Sequence, residues 1–134
     1  MRGKSRRGGT STVTQTRVPV LIVDDDSFLA DTFQLILEDA GFYVETACTA
    51  RQALERAEET PFRLVITDLK LPDMRGNELS RLLKELLPGV SVILLTGMSN
   101  IEKSADKRDP DEVLRKPIDP LELLRVSNSI RGNM

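Results

Sequence analysis

The sequence predicts an α/β domain built around a doubly wound parallel sheet, and three observations lead to this prediction. Short apolar runs alternate along the chain with segments whose apolar residues recur at helical spacing. Three of the runs, at 20–23, 64–66 and 92–95, consist of consecutive apolar residues, as in strands that are buried on both faces of a sheet. Gly and Pro lie at the boundaries between the two kinds of segment. Alternating strands and helices imply right-handed βαβ units, and therefore a parallel sheet with helices on both faces.

The first strand is predicted over 18–23, where an apolar run ends in three aspartates. A helix follows, with an apolar stripe at helical spacing. It is predicted to end at Gly41, because glycine readily adopts the left-handed conformation. The second strand is predicted over 42–47. Thr49 and Gln52 then have the spacing of a capping box, which predicts the start of a second helix.

Pro61 separates the second helix from a third strand, which is predicted over 62–67 and is followed by a turn. Leucines at helical spacing predict a third helix over 79–86, ended by Pro88. The next apolar run predicts a fourth strand over 90–95.

The polar segment 98–109 predicts only a short, weak helix. Val113 and Leu114 mark a short fifth strand. Asp119 and Pro120 have the pattern of a cap and first residue, which begins a final helix. The prediction is therefore five strands that alternate with five helices in one folded unit.

The chain of 134 residues is typical of one domain, and its composition, 40% hydrophobic and 30% charged, is that of a globular protein. The net charge of −2 combines a segment 1–17 of charge +5 with a remainder of charge −7. We predict a flexible basic tail over 1–17, a folded domain over 18–131 and a C-terminal tail over 132–134. The acidic folded part argues against a nucleic-acid-binding surface and favours a cation site.

Residue usage excludes several other classes of protein. Cys48 is single, so no intramolecular disulfide is expected, and the absence of His excludes imidazole catalysis and His-ligated metals. The apolar runs are too short to cross a membrane, and the basic start lacks the apolar segment of a signal peptide. We therefore expect a cytoplasmic protein without a membrane partner.

Residues able to do chemistry stand at the ends of four predicted strands. They are Asp24, Asp25 and Asp26 after the first strand, Asp68 after the third, Thr96 after the fourth and Lys116 after the fifth. The carboxyl ends of parallel strands lie at one edge of a sheet, where ligands bind in open α/β folds. Clustered carboxylates raise one another's pKa unless a cation neutralises them. Oxygen ligands without His favour Mg²⁺.

A hydroxyl and an ammonium beside such a metal suit a phosphoryl group. Each residue also has a structural interpretation on its own, since Asp26 can cap a helix, Thr96 can end a strand and Lys116 can be a solvated charge. Agreement among four separate strands makes the functional interpretation the better one.

The segments LIVDDD, VITDLKLPDMRG, VILLTG and VLRKPI, in that order, resemble a receiver domain (CheY-like) of a two-component response regulator. The resemblance spans Val18 to about Ile130, and the ordered set of motifs is highly specific. It implies a flavodoxin-like sheet with strand order 2-1-3-4-5. It also implies a phosphoprotein of phosphorelay signal transduction, which catalyses only its own phosphorylation and dephosphorylation and is otherwise not an enzyme.

The resemblance implies a role for each acid of the site. Asp68 would receive a phosphoryl group from the phosphohistidine of a sensor histidine kinase or phosphotransfer protein. Asp25 and Asp68 would bind Mg²⁺ directly, Asp24 directly or through water, and the backbone carbonyl of Lys70 would complete the protein ligands. Asp26 is instead expected to belong to the start of the first helix.

The resemblance also assigns the remaining groups. Lys116, before a cis peptide bond to Pro117, would pair first with the carboxylate of Asp68 and then with the phosphoryl oxygens. Thr96 would move to meet the phosphoryl group and so start a conformational switch between two existing surfaces. A downstream effector, or a second copy of the chain, would dock on the face of the fourth helix, fifth strand and fifth helix.

The sequence departs from the family pattern in the output region. Val113 stands where an aromatic switch partner is usual, and the stretch between Thr96 and Lys116 is shorter than usual. We therefore expect a short, displaced or mobile fourth helix and an altered output face. Lys70 and Met98 occupy positions that line the path of the hydrolytic water in the family, which predicts slow self-dephosphorylation.

The sequence leaves two alternatives open. A haloacid-dehalogenase-type phosphatase fits the aspartates at 24 and 26, but it leaves Asp68 unexplained and lacks the last metal ligands expected after Lys116. A degenerate receiver that acts as an unphosphorylated scaffold fits Val113 and the shortened region, but it leaves the intact acids, Thr96 and Lys116 without a purpose.

Overall fold

The computed structural model describes residues 17–97 and 106–133. Within these ranges the strands are β1 (Pro19–Val23), β2 (Tyr43–Ala47), β3 (Leu64–Asp68), β4 (Ser91–Thr96) and β5 (Glu112–Arg115). The helices are α1 (Ser27–Asp39), α2 (Ala50–Glu59), α3 (Gly76–Leu86) and α4 (Pro120–Gly132). The helix α4 is the one that the sequence predicted as the fifth. No helix in the described ranges combines the length and apolarity needed to cross a bilayer.

The five strands form one parallel sheet in the order β2-β1-β3-β4-β5. This is the flavodoxin-like order, and the prediction of the fold class is confirmed. The register pairs Val23 with Thr67 across β1 and β3, and Asp68 with Leu95 across β3 and β4. The carboxyl ends of these strands therefore lie side by side at one rim of the sheet.

Helices cover both faces of the sheet. Because successive side chains point to opposite faces, each strand contributes to the core on both sides. Val20 and Ile22 of β1 belong to a core with α1 and α4, whereas Leu21 and Val23 belong to a core with α2 and α3. The helix α2 enters its core through small buried residues, namely Ala50, Ala53 and Ala57. Both layers bury apolar side chains on folding, and each Å² of apolar surface removed from water stabilises the fold by roughly 25 cal/mol.

The C-terminal helix is fastened to the end of α1. The Nη1 atom of Arg131 donates a hydrogen bond of 3.0 Å to the carbonyl oxygen of Ala40, and its guanidinium lies 4.1 Å from the ring centroid of Phe42. Gly41, between these two residues, has a φ of +97°, the left-handed conformation predicted for it. Arg131 therefore satisfies a carbonyl that the end of α1 leaves without a helical partner.

The prediction of a helix over 98–109 is wrong for residues 106–109. Residues 98–105 lie outside the described ranges, and residues 106–109 form a turn. The backbone N–H of Arg108 donates to Oδ1 of Asp106 at 2.9 Å, and the N–H of Asp109 donates to the carbonyl of Asp106 at 3.1 Å. Hydrogen bonds between a side chain and the backbone compete with the backbone hydrogen bonds of a helix. In addition, Pro110 disfavours the helical conformation at the preceding residue.

Candidate functional site

Three carboxylates meet at the carboxyl rim of the sheet. Asp24 and Asp25 directly follow β1, and Asp68 is the last residue of β3. One carboxylate oxygen of each residue lies within 4.8 Å of the others. The register accounts for this approach, because Val23 and Thr67, which precede two of the acids, are paired across neighbouring strands. The structure thus brings together the acids that the sequence placed at two separate strand ends.

Asp24 is the most buried acid of this cluster, with 2% of its surface exposed. Its Oδ1 accepts a hydrogen bond of 2.9 Å from the N–H of Asp26, whereas its buried Oδ2 has no hydrogen-bond partner within the described part of the chain. Burial raises the pKa of Asp24; the charges of Asp68 and Asp25 add to this, and the Asp26 N–H and the Lys116 charge oppose it. A divalent cation would satisfy the unpartnered oxygen and offset the repulsion.

Lys116 supplies positive charge on the other side of Asp68. Its Nζ lies 3.0 Å from Oδ1 of Asp68, which is 7% exposed. The N–H of Lys116 donates to the carbonyl of Thr96 at 2.8 Å, so the β4–β5 ladder sets this lysine beside the end of β4. The peptide bond between Lys116 and Pro117 is cis, as the resemblance implied. One ammonium facing three carboxylates leaves an excess of negative charge, which favours a divalent cation.

A cavity of about 360 Å³ lies next to this ion pair. Its lining residues are Asp68, Leu69, Lys70, Thr96, Gly97 and Lys116. The lining joins a carboxylate, a hydroxyl-bearing side chain and two lysines, which suits a tetrahedral anion held against the carboxylate. The structure therefore gathers the predicted residues from β3, β4 and β5 around one space.

Asp26 has a different place, as predicted. Its Oδ1 accepts hydrogen bonds from the N–H groups of Phe28 and Leu29, at 3.1 and 3.2 Å, so that it caps α1. The aspartate run after β1 therefore divides into two candidate metal ligands and one helix cap.

Two residues that follow β3 also shape the site. A Cβ atom on Gly76 would stand 2.3 Å from the carbonyl oxygen of Asp68, so the loop after β3 can return this closely only with glycine there. Asp73 accepts hydrogen bonds from the N–H groups of Ala50 and Arg51, each 2.9 Å long. The motif LPDMRG signals a turn, but no sequence signal links it to a helix 23 residues earlier.

Comparison with known proteins agrees with this geometry. The family model of the response regulator receiver domain matches residues 20–128. The response regulator receiver protein CpdR of Brucella abortus is 33% identical over 100 residues, which cover 73% of this chain and 83% of CpdR. The transcriptional regulatory protein ZraR of Escherichia coli (strain K12) is 32% identical over 109 residues, which cover 80% of this chain but 25% of ZraR.

The likeness extends to three-dimensional structure. A response regulator receiver domain protein (CheY-like) from Methanospirillum hungatei JF-1 superposes with a TM-score of 0.79 at 36% sequence identity. The superposition covers 87% of this chain and 96% of that protein. The similarity therefore covers most of both chains.

Proposed function

Since this chain belongs to the response regulator receiver domain family, we propose that Asp68 is a phosphoryl acceptor. The observation that carries this proposal is the ion pair of Asp68 and Lys116 beside two further carboxylates, at the mouth of a cavity. The donor would be a phosphohistidine of a sensor histidine kinase or phosphotransfer protein. A carboxylate oxygen of Asp68 bonds to phosphorus while the bond from phosphorus to the histidine nitrogen breaks, and its electron pair leaves with the imidazole.

The acid cluster would hold Mg²⁺ through Asp24, Asp25, Asp68 and the backbone carbonyl of Lys70. The oxygen-only donor set and the unpartnered buried oxygen of Asp24 fit such an ion. When bound, Mg²⁺ supplies positive charge that offsets the repulsion between the carboxylates and an incoming phosphoryl group. Asp24 and Asp25 would thus serve as ligands, and Asp68 would serve as both ligand and nucleophile.

Lys116 and Thr96 would act on the phosphoryl group after transfer. The ammonium of Lys116, now on the Asp68 carboxylate, would pair with the phosphoryl oxygens, and the Thr96 hydroxyl would donate a hydrogen bond to one of them. A backbone hydrogen bond from the N–H of Lys116 to the carbonyl of Thr96, 2.8 Å long, keeps the two residues next to each other at the rim. On this proposal the protein catalyses only its own phosphorylation and dephosphorylation and acts as a switch, not as an enzyme on a separate substrate.

The output surface would include β5 and α4, where an effector or a second copy would dock. Val113 on β5 is 38% exposed, and an aliphatic chain has no ring to alternate between buried and exposed positions. We therefore assign the signal to the backbone around Thr96 and to the segment after it. Identical amide NMR shifts over 97–113 in the resting and phosphorylated protein would refute a switch in this region.

The direct test is incubation with MgCl₂ and acetyl phosphate, followed by intact mass and peptide mapping. We expect one added phosphoryl group on Asp68, and none on Asp68→Asn. A phosphoryl group on Asp24 would instead favour the phosphatase alternative. No added mass, with no Mg²⁺-dependent change in amide NMR shifts, would favour the scaffold alternative.

A further inference from the structure

Asp73 joins the loop after the acceptor strand to the start of another helix. Its Oδ1 accepts from the N–H of Ala50 and its Oδ2 from the N–H of Arg51, both at 2.9 Å. The hydroxyl of Thr49 accepts the next N–H along the helix, that of Gln52, at 3.1 Å. Asp73 therefore satisfies two of the N–H groups that open α2, although it belongs to the β3–α3 loop.

The same loop is held at its base by backbone contacts. The N–H of Gly76 donates to the carbonyl of Leu69 at 2.7 Å, and the N–H of Leu71 donates to the carbonyl of Met74 at 3.3 Å. These bonds make a narrow hairpin whose tip carries Asp73. The hairpin is thus fixed at its base by its own backbone and at its tip by α2.

The helix α2 is a firm support for the tip. Ala50, Ala53 and Ala57 are buried against the sheet, whereas Asp73 is exposed. The N–H of Ala50 lowers the pKa of Asp73, and burial opposes this only in part. The carboxylate is therefore charged at neutral pH, when its two charge-assisted bonds to a helix N-terminus are strongest.

Lys70 lies between the two fixed ends of the hairpin and bridges to Arg75 across it. We propose that Asp73 is a positioning residue, which anchors the hairpin on α2 and so holds the backbone carbonyl of Lys70 in place as a cation ligand. This inference rests on the proposed function, since it requires that the acid cluster binds Mg²⁺. A ligand carried on a loop binds a cation more tightly when the loop is already ordered, because binding then does not have to order it.

The test is a titration of the full chain with MgCl₂, without a phosphodonor, followed by amide NMR. Asp73→Ala should weaken Mg²⁺ binding by about tenfold, because binding must then also order the hairpin that carries the carbonyl of Lys70. Asp73→Asn keeps one acceptor oxygen and should fall between Asp73→Ala and the wild type. The matched control is Thr49→Ala, which removes the other cap of α2 but does not touch the hairpin.

Thermal unfolding by circular dichroism separates positioning from stability. We expect both alanine variants to lower Tm, and only Asp73→Ala to lower Mg²⁺ affinity. Equal affinity of wild type and Asp73→Ala would overturn the positioning role while leaving the proposed function intact. An equal loss in Thr49→Ala would overturn it too, because the cause would then be the stability of α2. A wild type that binds no Mg²⁺ would reject the proposed function itself.

Discussion

The hydroxyl of Ser80 donates a hydrogen bond of 2.7 Å to the carbonyl oxygen of Arg108. Ser80 is a fully buried residue of α3, and Arg108 lies in the turn before β5. The exposed guanidinium of Arg108 also pairs with Asp106 and Glu85. A partly buried neutral hydrogen bond and the exposed ion pair with Glu85 therefore join the turn to α3, whereas the pair with Asp106 lies within the turn.

We predict that Ser80→Ala destabilises the protein more than Arg108→Ala does. The first change leaves the carbonyl of Arg108 without this donor, at a cost of about 1–3 kcal/mol. The second removes exposed ion pairs, which contribute little to stability in water and weaken with added salt. Urea unfolding at low and high salt measures both effects. The reverse ranking would show that the ion pairs dominate.

Gly76→Ala is expected to destabilise the fold by roughly 1–3 kcal/mol, because the new methyl group would collide with the carbonyl of Asp68. The collision should also displace Asp68, the proposed phosphoryl acceptor, so phosphorylation by acetyl phosphate should slow. Gly132→Ala is the control, since a Cβ there meets no atom within 4 Å. Thermal unfolding and the rate of mass gain should both be normal for the control. A Gly76→Ala protein of wild-type stability and rate would contradict the close approach.

Asp24→Asn should raise Tm at neutral pH in Mg²⁺-free buffer. The pKa of Asp24 in the folded state lies above its ordinary value of 3.8, so the folded chain binds this proton more tightly than the unfolded chain. The stability that protonation of Asp24 contributes is therefore greatest below pH 3.8 and is lost as pH rises through the raised pKa. Asn removes the charge and keeps an oxygen for the N–H of Asp26. The difference in Tm should disappear at acidic pH.

Added MgCl₂ should raise the Tm of the wild type by binding the folded state, and should have little effect on Asp24→Asn. Thermal scans with and without the salt, at matched ionic strength, measure this. Equal gains in the two proteins would mean that Asp24 is not a ligand.

Lys116→Met is expected to slow phosphorylation by acetyl phosphate by about 10²-fold, because the ammonium that faces the developing charge is lost. The matched control is Lys84→Met, which breaks another lysine–aspartate pair, with Asp111 at 2.7 Å, away from the cavity. Intact mass against time gives both rates. Similar rates in the two variants would exclude a role for Lys116 in transfer.

Lys70→Ala should shorten the lifetime of the phosphorylated protein several-fold. Lys70 lines the cavity, and we expect its long side chain to limit the approach of water to Asp68. The substitution keeps the backbone carbonyl, so Mg²⁺ affinity should not change. The decay of the phosphorylated mass after removal of acetyl phosphate measures the lifetime. A wild-type lifetime of only seconds would count against this role.

The convergence of Asp24, Asp68 and Thr96 could be predicted because each ends an apolar run, and parallel strands present such ends at one rim. Strand order could not be predicted from alternation alone, since several right-handed arrangements bury the same runs; the family resemblance supplied it. The hydrophobic pattern thus shows which face or end of the sheet a residue occupies, but not which strands are neighbours.

The role of Asp73 could not be predicted because it depends on contact with a helix 22 and 23 residues earlier in the chain. The role of Gly76 could not be predicted because it depends on how closely the loop returns to the carbonyl of Asp68. The turn at 106–109 was mistaken for helix for a different reason. Its hydrophobic pattern was weak, and bonds from the side chain of Asp106 decided the backbone conformation instead.

The contacts of Arg131 with Ala40 and Phe42, at the end of α1, have a practical consequence. They hold the last turn of α4 at the rim where the strands begin, which is also where Pro19 starts β1. A fusion tag joined directly to Asn133 would therefore emerge at the rim opposite Asp68. A chip surface coupled through such a tag would leave the acidic rim facing solution, open to a bulky kinase in a binding assay.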